Sequence, residues 1–218
     1  SYVLTKIYFP PNSDENKIFF HEKYFENHVL GKKLLHIMFL ECHFLETVEF
    51  HYFFNAKDVI FRHCKFYEKT LFLDFNFNHI FMMELCIVHK YISFVGINFM
   101  KVSSFVETKF MNTKFYDIAT FNQCKINNIK LENTFFKDHL NFLNVLNTNG
   151  NVLNSKNMYD RDTSRTIKDS LTKQNNIIEA NKYYAIEMDK RRKELMWRNN
   201  LFEKLVFTCH WISSNHSQ

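Results

Sequence analysis

Phenylalanine recurs through the middle of this chain at steps of five and six residues. From Phe39 the steps lead to Phe44, Phe50 and Asn55, then to Phe61, Phe66, Phe72 and Phe77, then to Met83, Val88, Phe94 and Phe99. Each set of four repeats the previous one at a shift of 22 residues. Phe105, Phe110, Phe115 and Phe121 form a fourth set, and Ile126, Leu131, Phe136 and Phe142 a fifth, after the shift tightens to 21. Fifteen of these twenty positions are Phe, where the composition of the chain would place about two or three. A period of this length marks a repeat architecture, in which each unit buries its apolar side only by stacking on its neighbours.

A second column lies two residues before each of these positions and holds small or apolar side chains, among them Ile37, Cys42, Val48, Cys64, Cys86, Thr108 and Ile129. Residues two apart on an extended chain point to the same side, so both columns face one interior, and the intervening residues face out. An inward pair every five or six residues, four pairs to a turn, predicts a chain coiled around a four-sided β-solenoid. Five coils about 4.8 Å apart would make a rod on the order of 24 Å long. The fold class expected is therefore mainly β, with about five coils of 21–22 residues over 36–142.

These residues resemble the pentapeptide-repeat family, whose consensus is a small residue, Asp or Asn, a central Leu or Phe, and two variable positions. The resemblance covers roughly residues 36–142 and implies a right-handed quadrilateral β-helix. Asn76, Asn98 and Asn141 supply the consensus amide before the central residue, but Ala at the small position is scarce, and the six-residue steps imply that two corners of each coil bulge. The best-known members mimic DNA and act on a topoisomerase.

Solenoid ends expose unpaired strand groups and need covering. Residues 1–35, with Pro10-Pro11 and the turn signal Asn12-Ser13-Asp14-Glu15-Asn16, are read as an N-terminal cap. Weak spacing at Phe20, Phe25, Leu30 and Leu35 suggests one irregular coil. Residues 143–161 are Asn-rich and read as a linker. Over 162–218 the periodicity becomes helical, with Asp162, Thr163 or Ser164 available as N-cap. Ile167, Leu171, Ile178, Ala185, Met188, Leu195, Phe202 and Val206 would form the seam of one long helix or two shorter ones. The tail also resembles the segment that joins β-helix to transmembrane helices in some bacterial pentapeptide-repeat proteins. That likeness implies the cytoplasmic soluble part of a longer membrane-associated protein, at the inner face of the cytoplasmic membrane, anchored by sequence beyond Gln218.

Charge narrows the partners. Residues 36–142 carry eleven basic and eleven acidic side chains, whereas 155–218 carry twelve and eight. A neutral body is a poor electrostatic match for duplex DNA and lacks the acidic surface that DNA mimicry needs. The three glycines leave no P-loop or dinucleotide turn. Five cysteines without CxxC spacing fit a reducing compartment. Cys42, Cys64 and Cys86 are expected to stack inside the rod with Thr108 and Ile129, which offers a metal no fourth ligand. The neighbours His43 and His63 point away from those thiols, so no Cys-His dyad forms.

Neither catalytic residues, nor metal ligands, nor a cofactor are therefore expected. The expected role is a non-enzymatic protein-interaction or scaffolding module. The alternative is a soluble DNA-mimicking protein acting on a topoisomerase. The candidate interaction residues are Lys65, Lys109 and Lys130, expected on one outer stripe with His43 and Ile87, and the basic run Lys190, Arg191, Arg192 and Lys193. The expected partner is a protein or a second copy bound through the helical tail, with nucleic acid disfavoured.

Overall fold

The computed structural model describes residues 2–5, 8–9, 17–21, 35–51, 56–74, 76–77, 79–99, 107–142, 144–147, 149–195 and 201–214. It is a parallel β-solenoid of about four turns followed by helices. One turn shows the plan: Ala56–Arg62, Lys65–Phe66, Thr70–Leu73 and Asn76–Phe77 are its four sides in order, and Ile80–Glu84 returns to the first. The first face stacks Tyr2–Thr5, Leu35–Leu40, Ala56–Arg62, Ile80–Glu84, Glu107–Met111 and Ile129–Glu132. The second stacks Tyr8–Phe9, His43–Phe44, Lys65–Phe66, Ile87–Val88, Lys114–Phe115 and Phe135–Phe136. The third stacks Lys17–His21, Thr47–His51, Thr70–Leu73, Ile92–Val95, Ala119–Asn122 and Leu140–Phe142, and the fourth pairs Asn76–Phe77 with Asn98–Phe99. The strands near the N-terminus thus pair in parallel with the first complete turn.

The interior is the phenylalanine repeat. Phe39, Phe44, Phe50, Phe61, Phe66, Phe72 and Phe94 are at most 1% exposed. Between turns like stacks on like: Phe39 on Phe61 at 4.7 Å and 5°, Phe44 on Phe66 at 4.6 Å and 8°, Phe50 on Phe72 at 4.7 Å and 5°. Within a turn the rings meet edge to face, as Phe39 does with Phe44 and Phe50. Both arrangements suit the ring quadrupole. The side chains of Asn55, Phe77, Phe99 and Phe105 lie outside the described residues.

The five-residue corners have their own conformation. Glu41, His63, Leu85, Asn112 and Asn133 end the first face at positive φ, and Asp74, Gly96, Gln123 and Asn144 end the third. The residue after each of the first group closes the corner with its side chain. Cys64 Sγ donates to the carbonyls of Phe39 and Arg62, and Cys86 Sγ to those of Phe61 and Glu84. Thr113 Oγ1 donates to Met83 and Met111, and Thr134 Oγ1 to Phe110 and Glu132. A small side chain with an S–H or O–H is what this corner accommodates, since these carbonyls would otherwise be buried with fewer partners.

The register departs from the expected one after Met83. Met83 pairs with Phe110 and Val88 with Phe115, so this turn is five residues longer than the turn from Phe61 to Met83. The additional residues fall within 100–106, outside the described residues. The cysteine column therefore continues as Thr113 and Thr134 rather than Thr108 and Ile129: Lys114 N–H donates to the Cys86 carbonyl, and Phe135 N–H to that of Thr113. Thr108 and Ile129 stack instead under Val59 and Phe81 on the first face.

Residues 144–147 and 149–160 lie against the last turn. Val145, Leu153 and Met158 are buried, and Leu146 and Met158 bridge to Lys125 and Ile129. Asn147 Oδ1 accepts from the Asn149 and Asn151 N–H groups, and Asn157 Nδ2 donates to the Asn127 carbonyl.

Three helices follow, α1 (Arg161–Lys173), α2 (Ile177–Glu194) and α3 (Leu201–Ser214), where one or two were expected. The N-cap of α1 is Asp160, whose carboxylate accepts from Thr163 N–H at 2.8 Å. Asp162, Thr163 and Ser164 lie inside the helix, and the last two are buried. Thr163 Oγ1 accepts from Leu131 N–H, and Ser170 Oγ both accepts from Leu140 N–H and donates to its carbonyl. α1 thereby satisfies backbone groups that the final turn would leave open, as a solenoid end requires. Asn175 at φ 57 breaks the helical phase. Of the expected seam, Ile167, Leu171, Ala185 and Leu195 are buried and Met188 is half-buried, whereas Ile178, Phe202 and Val206 are exposed.

Candidate functional site

The second face of the rod is built from two-residue strands in which the second residue points in and the first points out. Its outer surface carries two columns, one before and one after the buried residue. The first is His43, Lys65, Ile87, Lys114 and Phe135, in register by strand pairing. The second is Leu45, Tyr67, His89, Tyr116 and Lys137, each following the inward residue of its turn. Four described residues of the rod are exposed large apolar side chains: Leu45, Leu85, Tyr116 and Phe135. All four lie on this face or on the corner that leads into it.

Rings on this face form a ladder along the rod. His43 stacks on Tyr67 at 5.9 Å and 27°, Tyr67 on His89 at 5.1 Å and 14°, and His89 on Tyr116 at 5.6 Å and 11°. Phe135 closes the series edge-on against Tyr116 at 6.4 Å. Tyr67 Oη lies 3.3 Å from His43 Nδ1. Burial and the adjacent Lys65 ammonium hold the His43 imidazole below its ordinary pKa, which favours the neutral ring in the stack. The ladder was not read from the sequence, although Tyr67, His89 and Tyr116 occupy one position of the repeat.

Lys65 lies on this face, but the five-residue lengthening moves Lys109 and Lys130 to the first face, under Ile60 and Met82. The expected single stripe is therefore divided, and Lys114 takes the place beside Lys65. Lys130 is committed to an ion pair with Glu132 and stands 4.5 Å from the centre of the Tyr159 ring. The pairing with Glu132 raises its pKa. Lys65, Lys114 and Lys137 make no ion pair among the described residues.

The basic run is not an open cationic patch. Lys190 Nζ donates to the Tyr159 carbonyl at 3.2 Å, and Arg191 grips Glu203 of α3 through Nε at 2.9 Å and Nη2 at 2.6 Å. Arg192 and Lys193 both bind Asp189, and Lys193 reaches Ser155 Oγ at 3.0 Å. These contacts pin α2 to residues 155–159 and to α3.

The buried thiols sit in an environment that disfavours reaction. Cys64 lies between two others; its bond with Cys42 lowers its pKa, while Cys86 and burial raise it, and the balance is about 12. Burial pushes Cys124 up to about 12. Among the described residues no three metal-ligating side chains gather where they would hold an ion, and no helix is long and apolar enough to cross a membrane.

Compared with protein-family models, curated proteins and solved structures, the chain matches none.

Proposed function

We propose that this protein is a non-enzymatic interaction module: a pentapeptide-repeat β-helix that offers a lateral face to a protein partner. The five-residue corners with positive φ, the inward phenylalanines and the small residue two positions earlier support that family. The helical tail tethers the rod, by self-association or at the cytoplasmic face of a membrane.

The observation that carries this reading is where large apolar side chains meet solvent. On the rod they gather on the second face; on the tail Ile177, Ile178 and Tyr184 are exposed on α2, and α3 carries a run of four, with Leu201 at 47%, Phe202 at 83%, Leu205 at 42% and Val206 at 66% exposed. Contiguous exposed apolar surface on a folded protein marks contact with something else.

The test is the association state of the full chain and of a Phe202→Ser, Val206→Ser variant, by sedimentation and by flotation with phosphatidylglycerol-containing vesicles. The unaltered protein is expected to self-associate or to float, and the variant to do neither while keeping its circular-dichroism melt. A monomer that stays off vesicles whether or not α3 is altered would remove the tail from the proposal.

A further inference from the structure

We infer that the second face of the rod recognises an acidic, extended protein segment. The inference deepens the interaction-module reading and rests on it.

The ring ladder decides which partners fit. In a stack with interplanar angles of 11–27°, Tyr67 and His89 each have a neighbouring ring on both faces. Nucleobases bind aromatic residues by stacking on an open ring face. A ladder that has closed its own faces gives them no platform, and sugar rings meet the same obstacle. What remains accessible is ring edge: the phenol O–H of tyrosine, the ring N–H of histidine, and the electropositive C–H rim. Such an edge suits a hydrogen-bond acceptor carrying negative charge.

The cations beside the ladder point to the same partner. Lys65, Lys114 and Lys137 flank the rings and have no acidic partner among the described residues, with Lys114 and Lys137 exposed. Lys65 and Lys114 sit two turns apart, about 10 Å at the spacing of parallel strands. An extended chain advances about 6.8 Å per two residues, so flexible lysine stems reach carboxylates on alternate positions of one segment. One position beyond the second column stand the carboxylates Glu46, Glu68, Asp117 and Asp138, interrupted by Lys90 in the middle turn. They would repel an acidic segment that strayed across the face and so hold it along the line of lysines. Leu45 and Phe135, exposed at 38% and 50%, give apolar contacts toward the two ends of the strip.

The experiment is fluorescence anisotropy of the full chain with a labelled peptide of alternating Glu and Tyr, compared with oligothymidylate of equal length. The inference expects saturable, salt-sensitive binding of the peptide. Lys65→Glu with Lys114→Glu should weaken it on the order of tenfold or more, and Lys65→Gln with Lys114→Gln should weaken it less. Lys173→Glu on α1 should leave it unchanged. Circular-dichroism melts establish that each variant is folded. Tighter binding of oligothymidylate, or peptide binding indifferent to both lysine pairs, would overturn the inference. Absence of peptide binding beside intact α3-dependent association would sink it and leave the module reading standing, whereas absence of both would remove both.

Discussion

Two single residues sit against the grain of their positions. Leu85 holds φ 54 at a corner where Asn112 and Asn133 occupy the equivalent places in later turns. A branched-chain residue in the left-handed region costs about 1 kcal/mol, and Asn tolerates it better. Leu85 is also 42% exposed, so little packing is lost on replacement. Leu85→Asn is expected to stabilise the protein by about 0.5–1 kcal/mol, read as a rise of a few degrees in Tm. Thr108 is 1% exposed, and its Oγ1 has no hydrogen-bond partner among the described residues. Its column neighbours are Phe81 and Ile129, with Val59 one turn further. Thr108→Val removes a desolvated hydroxyl at nearly constant volume and should stabilise by about 1 kcal/mol in a denaturant melt; a loss of stability would show that the hydroxyl is satisfied in solution. Both residues also show what was legible. The inward columns could be read because burial demands an apolar side chain at a fixed period. The positive-φ corner was not, because Glu41, His63 and Leu85 are not residues that announce it.

At the scale of the element, the junction between solenoid and helices carries the clearest expectations. Ser170 Oγ serves both the N–H and the carbonyl of Leu140, one of the last strands. Ser170→Ala leaves the buried N–H of Leu140 without this acceptor and should cost about 1–3 kcal/mol. Faster amide exchange at Leu140 and Phe142 than at Phe72 would locate the loss at the capped end. α2 is held to α1 by Glu187, 3% exposed, between Arg165 and Lys168 at 2.9 Å each. The other attachment is acid-sensitive in a defined direction. Burial raises the Asp189 pKa, but hydrogen bonds from Arg192, Lys193 and Ser155 outweigh it and bring the carboxyl to about 2. A depressed folded-state pKa contributes stability that is present above the unfolded value near 4 and is lost as pH falls toward 2. Between about pH 5 and pH 2 the unaltered protein should therefore lose more tail stability than Asp189→Asn, monitored by helical ellipticity; parallel curves for the two would exclude this pairing as the cause. The expected seam is divided here for a local reason. Asn175 in the left-handed region ends one helical phase, and Asn176 caps the next helix by accepting from Glu179 N–H.

At the scale of the whole molecule, the thiols report whether the rod behaves as one cooperative unit. Cys42, Cys64, Cys86 and Cys124 are buried in successive turns, and Cys209 is exposed on α3. A chromogenic disulfide reagent should modify Cys209 at once and the other four only on unfolding, because the rod buries them away from the reagent; Cys64 and Cys124, held near pKa 12, also present almost no thiolate. If the rod opens as a unit, those four react at one rate. Separate rates for Cys42 and Cys124 would instead reveal turn-by-turn fraying, which nearest-neighbour stacking permits.

The sequence by itself determined that this chain coils, because a five-or-six-residue step with paired inward positions leaves solvent-averse side chains no other common interior. It also determined which side chains face in, and that the repeat ends near Phe142. Only the tertiary structure decided which turns lie beside which. Five residues is one step of the repeat, so an insertion of that length leaves the spacing through Phe99, Phe105 and Phe110 without a visible break in the sequence, yet it rotates all later residues by one face. Met83 then pairs with Phe110. Lys109 leaves the side of Lys65, and Lys114 arrives there. Side-chain burial is a local property that a repeat encodes directly, whereas the face a residue occupies depends on the length of every turn before it. The ring ladder and its lysines are products of that count.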